Sequence, residues 1–223
     1  MDRIRSVLAG VVVATAAAAG AATSQQQPPS PVAAVQVDLP RSRADAAALA
    51  QARQDPLAAR IRGAMAQDPR TAAMLQLAAE SPVPVLAAAD PALLPGARLF
   101  TGDRHYMMSL ERGAQVIEIY GSTKAFRSPV AQTPARGGQA AAPARLAVAR
   151  ALVRSAAAAR RAQAAGLTNL RTEQTEYGHD VSFSRFGAAY CVSFICEGQG
   201  APGCGEAEAV AFAAGLVLIG GGA

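Results

Sequence analysis

The chain has 223 residues, a formal net charge of +5 and an apolar fraction of 51%, with few aromatics and no Trp. Lys124 is the single lysine among 21 basic residues, a skew that with abundant Ala, Gly and Pro fits GC-rich codon usage and makes part of the basicity mutational. That length allows one domain or two small ones, and the N-terminus described next makes nucleic acid a poor partner.

Residues 1–21 read as a secretory signal peptide. Arg3 and Arg5 form a basic n-region, an apolar stretch runs from Val7 to Ala22, and Ala19-Gly20-Ala21 supplies a small-x-small cleavage site. The stretch is too short and Ala-rich for a membrane span of about 20 strongly apolar residues. The expected mature chain starts near Ala22 and works in the periplasm or outside the cell. Residues 22–31 include the polar, Pro-rich run Ser24–Pro31 and form a disordered tether.

Val35, Val37 and Leu39 alternate with polar or small residues, the pattern of a short strand. Helical sequence from Ser42 to Ala79 is interrupted at Asp55-Pro56 and Asp68-Pro69, each an N-cap followed by Pro in the first helical position. Leu57, Ile61 and Met65 make one apolar stripe, and Met74, Leu75 and Ala78 another. Pro82–Leu86 reads as an edge strand, because proline donates nothing to a ladder. Asp90-Pro91 opens a brief turn or helix.

Two strand–turn–strand units follow. Met108–Ala114 and Val181–Ala188 align around Arg112-Gly113 and Arg185-Phe186-Gly187, with one residue inserted before the second glycine. The expectation is a duplicated hairpin: half 32–127, linker 128–142, half 143–219 and loose tail 220–223. The predicted fold class is α+β, with short antiparallel β-hairpins covered by helices. In the second unit Tyr190, Val192, Phe194 and Cys196 share one face, and Cys191, Ser193 and Ile195 share the other.

Four signals bear on chemistry. His105 and His179 are the chain's two histidines, each beside an acid, Asp103 and Asp180. A pseudo-twofold joining the hairpins would gather them into a metal or acid/base site, although no HxH or HExxH spacing supports it. Ser182, Ser184 and Ser193 lack a nucleophile elbow. Gly198–Gly203 matches GxGxxG, but no acidic residue stands about 20 positions further on and Pro202 removes a donor, so dinucleotide binding is rejected. The helix predicted from Pro143 to Ala165 carries Arg150, Arg154 and Arg161 on one face, a possible contact for an anionic surface.

The three cysteines suit an oxidising compartment. Cys196–Cys204 is the expected disulfide, because Gly198, Gly200, Pro202 and Gly203 let the chain turn back between them, and Cys191 is expected to stay as a small buried residue. The leading functional expectation is a non-catalytic exported protein that binds an envelope component, with no cofactor. The alternatives are a small metal-dependent or hydrolytic enzyme using the histidines, and membrane-surface association through the arginine-faced helix.

Overall fold

The Asp-Pro pairs act as predicted. Ser42 caps α1 (Arg43–Arg53) through a reciprocal capping box with Asp45. Asp55 caps α2 (Pro56–Gln67) and Asp68 caps α3 (Pro69–Glu80), each carboxylate accepting backbone N–H groups of the first turn. The structure, a computed structural model, describes residues 35–127, 156–197 and 202–222. The predicted signal and tether 1–31, the predicted linker 128–142 and most of the predicted arginine-faced helix lie outside them.

The remaining elements, in chain order, are β1 (Val35–Asp38), placed before α1, then β2 (Val85–Ala87), β3 (Arg98–Thr101), β4 (His105–Arg112), β5 (Gln115–Ser122) and β6 (Lys124–Arg127). They continue with helical residues 156–164 (α4), β7 (Thr168–Gln174), β8 (Gly178–Arg185), β9 (Ala188–Ile195), α5 (Glu206–Ala214) and β10 (Val217–Gly220). A 3₁₀ turn at Pro91–Leu93 is capped by Asp90. Helix α4 ends as its glycine forecast: Gly166 has φ +79°, and Leu167 and Gly166 donate back to the Ala162 and Gln163 carbonyls, a Schellman closure. The fold is α+β.

Six strands form one antiparallel sheet in the order β3-β4-β5-β9-β8-β7. The duplicated hairpins therefore lie side by side, joined where β5 pairs antiparallel with β9, and the predicted halves share one sheet. The apparent insertion in the second hairpin is absent. Arg112 pairs with Gln115 and Arg185 with Ala188, so both turns have two residues and Phe186 stands where Gly113 does. Gly113 (φ +62°) supplies the positive φ of a type II′ turn, whereas Phe186 (φ +57°) and Gly187 (φ +74°) make a type I′ turn. A phenylalanine in that conformation is costly. Burial of its ring, the Arg185 guanidinium 4.6 Å above it and the Arg41 N–H on its carbonyl hold it there.

Strand alternation gives the sheet an inner face of Tyr106, Met108, Leu110, Ile117, Ile119, Val181, Phe183, Tyr190, Val192 and Phe194, all buried. Helix α5 packs on β7, β8 and β9, with Phe212 edge-on to Phe194. The β2–β10 ribbon also lies in this core, and α1, α2 and α3 all contact β10. The edge-strand reading of Pro82–Leu86 holds for pairing, with the ladder starting at Val85 after both prolines, although Val83, Val85 and Leu86 are completely buried. Strand β2 has only β10 beside it, and tyrosine hydroxyls stand in for a second neighbour. The Leu86 N–H donates to the Tyr106 hydroxyl at 3.0 Å, and the Tyr190 hydroxyl donates to the Pro84 carbonyl at 2.9 Å. Gly121 makes this arrangement possible, because a β-carbon there would overlap both rings.

The glycine tail also departs from expectation. Gly221 and Gly222 are buried, Gly222 donates to the Ser81 carbonyl, and their carbonyls accept from Arg41 and Arg53 at 2.7–3.2 Å. Backbone carbonyls carry this recognition, so a sequence without side chains was no guide to it.

Cys196 and Cys204 form the expected disulfide, with Cα atoms 6.5 Å apart. Arg112 and Gln115 brace the bridged loop: Arg112 donates to the Gly203 carbonyl and Gln115 to that of Pro202, at 3.0 and 2.8 Å. Replacing both cysteines with serine should lower stability by about 2–3 kcal/mol on the chain-entropy model, measured by urea denaturation with and without reductant. Equal stability of the two forms would contradict it.

Candidate functional site

The sheet register separates the two histidines. His105 lies in the cross-strand row Ser122, Ala189 and Ser184. His179 is three strands across and five residues further along β8 than Ser184, which places the imidazoles more than about 20 Å apart at ordinary strand spacings. They also face opposite ways, since His105 alternates with buried Tyr106 and His179 shares the parity of buried Val181. His105 is exposed and stacks near Tyr120, with centroids 6.0 Å apart. Asp103 sits in the exposed β3–β4 loop, and Asp180 pairs in register with Ser193 and Glu173 on the outer face. Among the described residues no group of three or more His, Cys, Asp or Glu is placed to hold a metal ion.

The other candidates are equally dispersed. Ser182, Ser184 and Ser193 lie on strands β8 and β9, and Ser184 accepts from the Asn169 amide. Cys191 is partly buried on the outer face rather than fully buried as expected. Partial burial raises its thiol pKa; hydrogen bonding to Ser182 opposes this, and the negative charge of Asp180 adds to it. The protonated thiol is a poor nucleophile at neutral pH. Arg150 and Arg154 lie outside the described residues, and Arg161 is exposed on α4. No helix among the described residues is long and apolar enough to cross a membrane.

A depression of about 430 Å³ beside the disulfide loop is lined by Arg112, Ala114, Gln115, Glu197, Pro202 and Gly203. Its strongest donors are already engaged. Arg112 binds the Gln115 side-chain oxygen with two nitrogens at 2.9 and 2.6 Å and lies 5.3 Å from the Phe194 ring centre. These groups brace the loop.

The feature that the sequence did not reveal is the outer face of the large sheet. One cross-strand row runs Phe100, Met107, Tyr120, Cys191, Ser182, Arg171, and the next runs Arg98, Ser109, Glu118, Ser193, Asp180, Glu173. A third includes Val116 beside Ile195. None of these side chains is buried. Phe100 is 57% exposed, Tyr120 43% and Ile195 37%, and no described element covers them. Half of the signal was legible in the outward grouping of Cys191, Ser193 and Ile195. Phe100 was missed because Arg98–Thr101 has only four residues, too few for alternation to show. Comparison with known proteins found no matching family model, no matching curated sequence and no matching solved structure.

Proposed function

We propose that the protein is a non-catalytic binding protein of the cell envelope, exported by its N-terminal signal sequence, and that it meets its partner through the outer face of the six-stranded sheet. The observation that carries the reading is the exposure of Phe100, Tyr120 and Ile195 together on a face that no described element covers. Large aromatics left in water on a flat surface favour an interface, where burial removes apolar area from solvent. The Cys196–Cys204 disulfide supports an oxidising location. Separation of His105 from His179 removes the geometric basis for shared catalysis.

The test is a photoreactive residue at Phe100 in the producing cells, with the same residue at Leu77, a 41% exposed position on α3, as control. A covalent adduct from position 100 alone is expected, outside the cytoplasm and on a chain beginning near Ala22. Equal labelling at both positions, or an adduct only on a cytoplasmic chain that retains Met1, would overturn the proposal.

A further inference from the structure

We infer that the partner of the outer sheet face is a second copy of this chain, packed face to face about a twofold axis that runs along the strands between β5 and β9. The inference rests on the binding role proposed above and names the partner. Such an axis reverses strand order between the copies, so β3 of one lies over β7 of the other and β5 lies over β9.

Charge distribution across the face fits this operation. In the row Arg98, Ser109, Glu118, Ser193, Asp180, Glu173 the positive charge stands at the β3 edge and two carboxylates at the β7 edge. Reversal brings Arg98 of each copy over the acidic edge of the other, twice by symmetry. In the neighbouring row the exposed Phe100 ring comes over the Arg171 guanidinium, a favourable pairing for an aromatic face. Tyr120 comes over Cys191 and Val116 over Ile195, on either side of a polar Glu118–Ser193 pair, so apolar groups meet near the axis in two of the three rows. A twofold across the strands would instead lay β3 over β3 and β7 over β7, and along this row it would put Arg98 over Arg98 and Glu173 over Glu173.

Area is sufficient as well. Four strands of eight residues, β7 with seven and β3 with four, at about 4.8 Å spacing and about 3.3 Å rise, cover roughly 680 Å² per copy, within the range of a standard interface of roughly 800 Å² per partner. Aligned sheets pack about 10 Å apart. Each Cys191 then sits half a strand spacing from the axis, and the two thiols approach within reach of a short bifunctional reagent. Cys191 is the only thiol outside the Cys196–Cys204 disulfide, so it reports on this interface alone.

The experiment measures the mass of the purified protein by sedimentation equilibrium at micromolar concentrations, with Cys191 cross-linking at mildly alkaline pH. A dimer that cross-links through Cys191 is expected. Phe100→Asp with Tyr120→Asp should abolish both signals while the circular dichroism spectrum stays unchanged. Arg98→Glu should weaken the dimer about tenfold, and combining it with Glu173→Arg should restore it. A monomer throughout, or a dimer unaffected by the aspartate substitutions, overturns the inference. If the protein is monomeric and the position-100 adduct contains a different protein, the second-copy inference fails while the binding role stands. If the protein is monomeric and position 100 gives no adduct at all, both fail.

Discussion

Gly221→Ala should destabilise the protein by about 3 kcal/mol or more and release the C-terminal segment from the core. Gly221 has φ +77°, where an L-residue costs about 1–2 kcal/mol. A β-carbon there would also overlap the Val83 carbonyl oxygen, a backbone atom of the buried segment before β2 that has nowhere to go. Relief requires moving the tail, which forfeits the Arg53 bond to the Gly221 carbonyl, the Arg41 bond to Gly222 and the Gly222 N–H bond to Ser81. Each such bond contributes on the order of 1 kcal/mol. Gly113→Ala is the internal control. Its φ is also positive, at +62°, but nothing lies within 4 Å of the added carbon, so about 1–2 kcal/mol is expected. Urea denaturation of both variants measures the difference. A loss at Gly221 no larger than at Gly113 would show that the tail is not held as described.

The second large effect is alkaline. Burial pushes the Tyr106 and Tyr190 phenols well above their usual pKa, and each ring's proximity to the other raises that of Tyr190 further. Above pH 10 the unfolded chain loses these protons while the folded chain keeps them. Linkage then makes stability fall as pH rises, by up to about 1.4 kcal/mol per pH unit for each tyrosine. Below pH 10 both states are protonated and the two residues impose no slope. Tyr106→Phe should flatten the alkaline slope by about half. At neutral pH it should also cost about 1–3 kcal/mol, since the Leu86 N–H loses its acceptor in a buried site. Tyr190→Phe should flatten the slope as much at a smaller neutral cost, because it leaves a carbonyl rather than an N–H unpaired. Stability measured from pH 7 to 11 decides the matter, and an unchanged slope in both variants would place the alkaline transition elsewhere.

These two sites show where local chemistry stopped informing the sequence reading. The helix starts at Asp55-Pro56 and Asp68-Pro69, the Gly166 closure and the turns after Arg112 and Arg185 were legible, because caps and tight turns are specified within a few residues. The Cys196–Cys204 pairing was legible for the same reason. Strands β3 and β7 were not. They are the outermost strands of the sheet; one has four residues, and the other exposes six of its seven, so neither carries the alternation that burial imposes on β8 and β9.

By itself the sequence determined the helix boundaries, the repeated hairpin, the disulfide and the alternation of β9, all properties set by neighbours along the chain. Tertiary structure alone decided that both hairpins share one sheet, that β2 is buried under two tyrosine hydroxyls and that a glycine tail is clamped by Arg41 and Arg53. It also decided that His105 and His179 point to opposite faces, and that no described element covers the outer face of the sheet. Each of these depends on pairing register and on contacts between residues far apart in sequence. A one-residue change of register sends every side chain of a strand to the other face, and no local pattern around either histidine records which register β5 and β9 adopt.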